Sequence, residues 1–441
     1  MQRQQQLTEW LHSLFPDKIF TLAPASADAS FRRYFRITFE SNAANDGQAN
    51  RREQLEMQGA AQRAPTHTGW AGEGRASTQH SRSNAPQVGS LIVMDAPPQH
   101  EDCRPFLHIA RLFEDAGTHV PHVYAQDLEQ GFLLLSDLGD TTYLQALSSG
   151  SADTARELYG AATDALIKIQ LASRDHELPP YDETLLLREM RLFPEWYIAK
   201  HLDVTLSEAQ NAKLETVFQC ILANNLAQPR VYVHRDYHSR NLMYIERPLL
   251  NPLDETTSHS TRLPNTAAKS LVIPQAGRAQ RGGRSQANEK WGKQAIREAD
   301  ARKGNFLTSP GILDFQDAVY GPITYDLASL FKDAYIHWEE AQVIDWLIRY
   351  WEKARKAGLP VHSDFSGFYR DYEWMGVQRH LKVLGIFARL YHRDGKEGYL
   401  KDLPLVMAYL RAACARYIDL KPLLNLLDTL EPQISKEGYT F

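Results

Sequence analysis

The sequence predicts an α+β protein. Strand-like segments gather in the first third, helical periodicity fills most of the remainder, and a second small group of strand signals lies within the helical part. Segregation of this kind points away from alternating β-α-β units, which would space strands evenly between helices. Taken in order, residues 3–14 read as a short amphipathic helix. Residues 31–39, "FRRYFRITF", alternate aromatic or apolar with polar side chains, the period of a half-buried strand. Residues 91–94, "LIVM", are a buried-strand run. Residues 103–117 form a helical pattern closed by Gly117 in C-cap position, and 131–138, "GFLLLSDL", read as a further strand. From about residue 141 the pattern is helical, over 152–172, 183–201, 207–225, 323–332, 339–357, 363–392 and 400–418. The β-signals of this half cluster at 230–246 and 311–315. A β-rich domain over 1–138 and a helical domain over 139–441 are therefore expected.

Two segments break the pattern. Residues 41–90 are rich in Ala, Gly, Gln, Asn, Ser and Thr with no long apolar period, and 247–309 behave likewise. Such composition buries too little apolar surface to offset the entropy of ordering, so both read as flexible insertions. Each falls between two strand segments, where a hairpin turn belongs, and lengthening a turn raises closure entropy only slowly. The second insertion carries 11 Lys and Arg against 5 Asp and Glu, the balance of a solvated basic loop.

Composition narrows the function classes. A net charge of −5 gives no overall match to a nucleic-acid polyanion. No run approaches the ~18 apolar residues of a membrane helix, and "MQRQQQLTEWLHSLF" lacks the apolar stretch of a secretion signal. Three sparse cysteines, Cys103, Cys220 and Cys414, argue against a disulfide framework and against a zinc site. A cytoplasmic protein with no nucleic-acid or membrane partner is expected.

The chemistry concentrates in "VYVHRDYHSRNLM", residues 231–243, where a strand-like run ends in His234, Asp236 and Asn241 before a second apolar pair. Phosphoryl transfer needs a carboxylate to orient and deprotonate the attacking hydroxyl, oxygen ligands for a metal, and a rigid mount. Asp236 suits the first role. Asn241, five residues on, can offer an amide oxygen to magnesium, which prefers hard oxygen ligands. His234 suits holding the loop by hydrogen bonds. A second motif, "GILDFQD" at 311–317, ends another short strand in Asp314 and Asp317. Asp314 stands where the metal-binding Asp of a kinase DFG motif would stand. "GPITYDLA" follows, in which Asp326 opens an apolar helix and can cap it or bond back to the first loop.

These two motifs in this order resemble the aminoglycoside-phosphotransferase superfamily of protein-kinase-like folds. The resemblance is closest to bacterial anomeric kinases acting on N-acetylmuramate and N-acetylglucosamine in cell-wall sugar recycling. Supporting stretches are "ADASFRRYFRI" (27–37), "LIVMDAPP" (91–98), "GFLLLSDLGDTTYL" (131–144) and "WMGVQRHLKVLGIFARLYHRDGK" (374–396). The resemblance implies a two-lobed fold that binds ATP and Mg2+ and transfers the γ-phosphate to the C1 hydroxyl of a small sugar. Asp236 would be the base, Asn241 and Asp314 the metal ligands, 26–36 the segment over the phosphates, and Ser136 to Leu138 the hinge that meets adenine.

The chain departs from the kinase pattern in two places. The phosphate loop, "SADASFRRYFR", has no glycine, and the strand "LIVM" is followed by Asp95 where a lysine is usual. Arg33 or Arg36 can supply the missing cation, since the guanidinium fork suits phosphate. Ser26, Ser30 and nearby backbone N–H groups can serve the phosphates without glycine. On the acceptor side, Arg235 and Arg240 flank the base, Arg379 and Lys382 lie on the helix after residue 363, and Lys382 shares a face with Arg389. This basic lining leans toward a neutral or anionic sugar, although Glu189, Asp371 and Glu373 offer carboxylates to a cationic one. Three functions remain open: an amino-sugar kinase, a kinase of another hydroxylated small molecule such as an aminoglycoside, and a nucleotide-binding scaffold without turnover.

Overall fold

The computed structural model describes residues 2–27, 31–39, 90–245 and 310–431, so nearly all of both expected insertions lies outside them. The described residues fall into two units. The first comprises those of Met1–Asp102 and Val123–Asp137; the second comprises those of Cys103–His122, Leu138–Asn265 and Asn305–Phe441.

The first unit contains helix α1 (Gln2–Leu14) and strands β1 (Phe20–Ala27), β2 (Arg33–Phe39) and β3 (Ser90–Asp95). Helix α2 (Arg104–Asp115) follows in the chain, then β4 (Val123–Asp127) and β5 (Phe132–Ser136). The five strands form an antiparallel sheet in the order β1-β2-β3-β5-β4. Strand β1 escapes a pattern reading because Pro24 interrupts it. It lies at the sheet edge with a register shift between Pro24 and Ser26, where a residue without N–H is tolerated. Strands β2 and β3 pair from Thr38–Ser90 to Arg33–Asp95, as expected of strands flanking an extended hairpin turn.

Period-2 alternation decides which face each residue takes. Ile37, Phe39, Leu91, Val93, Phe132 and Leu134 meet Leu7, Trp10, Leu11 and Leu14 of α1 in one buried cluster. Full burial of such side chains stabilises by ~1.5–3 kcal/mol each. Asp95 continues the Leu91–Val93 series, so it points to the α1 face. There it accepts from Arg3 Nε of α1 at 2.8 Å and pairs with Arg33, its register partner on β2. Arg36, three residues along, takes the other face with Tyr34, Ile92 and Met94.

The second unit is built around one long helix. In chain order its further elements are α3 (Tyr143–Ser149), α4 (Ala152–Leu171), α5 (Glu183–Leu192), α6 (Glu208–Leu226), β6 (Arg230–Val233), β7 (Leu242–Met243), β8 (Gly311–Ile312), β9 (Val319–Pro322), α7 (Tyr325–Phe331), α8 (Glu340–Lys356), α9 (Phe365–Asp394), α10 (Leu403–Arg416) and α11 (Lys421–Leu430). Helix α9 is the hub, with α5, α6, α7 and α10 packed on it. Its burial runs all round between Trp374 and Gly385 and includes the polar Gln378, Arg379, His380 and Lys382.

Three expectations need correction. The helix expected over 183–201 changes type: Phe193–His201 is π-helical, and Leu202 N–H donates to Tyr197 O, five residues back, at 3.0 Å. Pro194 has no N–H for the α-helical bond, which disturbs the ladder at that point. The strand expected over 311–315 stops at Ile312, because Asp314 adopts φ 62° and leaves the extended conformation. Finally, α2 belongs with the helical unit: Phe106 and Phe113 pack on Phe315 at 4.9 and 5.9 Å between ring centroids.

Candidate active site

Two loops of the second unit run side by side. β6 pairs with β9 and β7 with β8, so loop 234–241 leaves the first ribbon for the second while loop 313–318 makes the return. Leu313 N–H donates to Asn241 O at 2.9 Å and ties the loops together. Each carries a non-glycine residue in the left-handed region, Arg235 (φ 77°) and Asp314 (φ 62°). Such backbone costs ~1–3 kcal/mol and persists only where its surroundings enforce it. At Arg235 the enforcing group is Asp326, the second residue of α7. Its carboxylate accepts from His234 N–H at 2.7 Å and from Arg235 N–H at 3.0 Å. The bond back to the loop expected of Asp326 is therefore present.

His234 is fully buried, and its tautomer follows from its partners. Asp236 N–H donates to Nδ1 at 3.2 Å, so Nε2 carries the proton and donates to Leu313 O at 2.9 Å. Burial pushes its pKa down to about 4, which keeps the ring neutral. A neutral ring bonded at both nitrogens bolts the loops together. Further along, Ser239 donates through both N–H (3.0 Å) and Oγ to Asp333, and Tyr237 OH donates to Ala162 O at 2.8 Å. Asp236, Arg240 and Asn241 remain partly accessible.

Burial acts to raise the pKa of Asp236. Lys382, His238, Arg379 and Arg235 outweigh it and hold the carboxyl below its ordinary value. The group is an anion at neutral pH, as a base must be. Asn241 donates through Nδ2 to Asp236 O at 3.0 Å and to Asp314 Oδ2 at 3.3 Å, which leaves the amide oxygen as its acceptor. Gln316 Nε2 donates to Asp314 Oδ1 at 2.8 Å. An amide and a carboxylate on adjoining loops supply the oxygen donor types that fit a hard divalent cation, which keeps waters and takes phosphate oxygens for its other positions. No cluster of three or more His, Cys, Asp or Glu suited to a metal occurs among the described residues.

A buried charge cluster adjoins the candidate base. Glu189 of α5, 4% exposed, accepts from Tyr181 OH, from Arg235 and, at 3.2 Å, from Gln378 Nε2. Its other close partner is Lys382 Nζ at 3.1 Å, which also donates to Tyr325 OH at 3.0 Å. Burial works against ionisation of Glu189, and the two cations with these hydrogen bonds prevail, so its pKa is lowered. Arg235 and Lys382, 147 positions apart by number, thus share one carboxylate. Arg240 lies over the Tyr335 ring, 3.5 Å from its centroid. Arg379 is 4% exposed.

The candidate nucleotide residues are placed as follows. Arg33 and Arg36 occupy opposite faces of the first unit's sheet, so they cannot serve the same phosphate. Arg33 pairs with Asp95 on the α1 face, while Arg36 makes a bidentate pair with Asp137 at 2.6 and 3.1 Å. Ser26 has a backbone place opposite Tyr34, and Ser30 lies outside the described residues. Ser136 ends β5, and Leu138 packs against Gly311 in the second unit. Tyr181, Tyr325 and Asp333 were not read from the sequence as site residues. No local pattern marks them: Tyr325 enters through Lys382 and Asp333 through Ser239, both far along the chain, and Tyr181 through Glu189 of the next helix.

An ionised carboxylate beside an amide and a second carboxylate, on loops fixed by buried hydrogen bonds, is a set of side chains that suits phosphoryl transfer. Residues 73–249 and 299–364 match the model of the phosphotransferase enzyme family, and the chain belongs to that family. It is similar to the N-acetylmuramate/N-acetylglucosamine kinase of Pseudomonas putida, 40% identical over 97% of both chains. The kinase of the same name from Neisseria meningitidis serogroup B is 39% identical over 100% of both. Among solved structures, the choline kinase LicA from Streptococcus pneumoniae is 10% identical with a TM-score of 0.48, covering 94% of this chain and 99% of the other. Among the described residues no helix is long and apolar enough to cross a membrane.

Proposed function

We propose that this chain is an ATP- and magnesium-dependent kinase that phosphorylates the anomeric hydroxyl of N-acetylmuramate and N-acetylglucosamine. The observation that carries the reading is the placement of Asp236. It lies among Lys382, Arg379 and Arg235 while Asn241 and Asp314 offer oxygen ligands on the adjoining loops. The full-length similarity to kinases of these two sugars supports the substrate class. Asp236 would accept the hydroxyl proton as the sugar oxygen attacks the terminal phosphorus, and ADP would leave. Magnesium, when bound, supplies charge neutralisation at the phosphate oxygens. His234 and Asp326 hold the base at a fixed position, which turns an encounter into a near-attack geometry. Arg36 is the better candidate for the missing phosphate cation, because it lies on the face that α1 leaves uncovered. The cationic surroundings of Asp236 oppose a polycationic aminoglycoside acceptor. The β-rich unit would hold the nucleotide and the helical unit the acceptor.

The test is magnesium-dependent ADP release with N-acetylmuramate, N-acetylglucosamine and kanamycin, for wild type and for Asp236→Asn, Arg36→Ala and Arg33→Ala. The expected result is turnover of the two sugars to their 1-phosphates. Asp236→Asn lowers kcat by ~10²–10⁴-fold, the scale of general-base loss, and retains ATP binding. Arg36→Ala raises KM for ATP more than Arg33→Ala does. Turnover of kanamycin alone, or a near wild-type rate in Asp236→Asn, overturns the reading.

A further inference from the structure

The cations around the candidate base differ in one respect. Arg235 and Lys382 are both bound to Glu189, and Arg240 is spread over the Tyr335 ring. Arg379 stands one turn from Lys382 on α9 and is more than nine-tenths buried, yet its Nη1 is buried without a hydrogen-bond partner. Among the described residues no carboxylate forms an ion pair with it. Asp236 feels its charge without forming an ion pair with it, and a buried donor left without a partner costs ~1–3 kcal/mol, so Nη1 stands ready for an incoming anion. Two reactant anions are available near Asp236: the transferring phosphoryl group, and a carboxylate on the acceptor. Asn241 and Asp314, with their cation, address the phosphoryl from the two loops. Arg379 instead stands on α9 beside Lys382 and Gln378, the residues that build the cluster adjoining the base.

We propose that Arg379 receives the carboxylate of an acidic acceptor sugar and is thereby the residue that separates N-acetylmuramate from N-acetylglucosamine. The proposal rests on the amino-sugar kinase reading above and adds a carboxylate subsite to it. The planar guanidinium fork matches a carboxylate bidentately, which an ammonium cannot do. The neutral sugar leaves the fork unfilled, so the subsite acts on one substrate and not on the other.

The experiment is steady-state kinetics of wild type, Arg379→Gln and Arg379→Lys with both sugars at saturating ATP, together with thermal melts without ligand. The ratio of kcat/KM for N-acetylmuramate over N-acetylglucosamine should fall ~10- to 100-fold in Arg379→Gln, the scale of a hydrogen bond between charged groups. Arg379→Lys should recover only part of it. The unliganded Arg379→Gln protein should melt close to wild type, since the substitution removes a donor that has no hydrogen-bond partner and forms no ion pair. Equal losses for both sugars would assign Arg379 to the phosphoryl group or to structure and overturn the carboxylate subsite. A lower melting temperature with an unchanged sugar ratio would do the same. A wild type that phosphorylates neither sugar refutes the kinase reading itself, and the subsite with it.

Discussion

At the scale of single residues, the charge state of Asp236 is the property most open to measurement. Burial pushes its pKa up, and Lys382 is first among the charges that pull it down, with His238, Arg379 and Arg235 behind it. The net lowering places the acid limb of the rate below the ordinary Asp value of ~3.9, so kcat/KM is expected to lose no base between neutral pH and about 5. Lys382→Met keeps the burial and removes the largest opposing charge. Its acid limb should therefore rise. A pH profile of the variant that superimposes on wild type would show that Lys382 does not set the charge of the base. The candidacy of Asp236, Asn241 and Asp314 was legible in the sequence, because their spacing lies within two short loops. The Glu189 that neutralises Arg235 and Lys382 was legible only as one acid among many.

At the scale of elements, close approach rather than propensity sets the frame of the site. Gly321, in β9, faces Tyr181: a Cβ there would stand 2.5 Å from Tyr181 Cβ. Tyr181 N–H in turn donates to Tyr320 O at 2.8 Å, and its hydroxyl donates to Glu189. Gly321→Ala must therefore push the tyrosine and the strand apart, at ~1–3 kcal/mol for overpacking. Chemical denaturation should show a midpoint lowered accordingly, and an unchanged midpoint would mean that the strand relaxes freely. The elements with clear periodicity were legible, among them α9 and the strands around residues 35 and 92. Those that were not had a physical reason to hide. Strand β1 contains Pro24, β7 and β8 have two residues each, and the π-helical turn after α5 differs from an α-helix only in which carbonyl each N–H finds.

At the scale of the molecule, stability should carry the signature of His234. Its pKa falls from 6.5 to about 4 on folding, with burial as the main cause. Between those values the unfolded chain binds a proton that the folded protein does not, so stability rises with pH across this window and is lost as pH falls through it. The slope is ~1.4 kcal/mol per pH unit, or ~3 kcal/mol over the whole window. In His234→Gln this contribution to the pH dependence should vanish; equal slopes from pH 4 to 6.5 in variant and wild type would show that the ring is not held neutral. The sequence by itself determined the α+β class, the two motifs in their order and the phosphotransferase chemistry, because each is encoded in periodicity or spacing over a few residues. Only the tertiary structure decided that Arg33 and Arg36 lie on opposite faces of a sheet, that α2 groups with the helical unit, and that Glu189 neutralises two cations distant in the chain. Those outcomes depend on strand register and on which helices meet, and such long-range pairings leave no local trace in the order of residues.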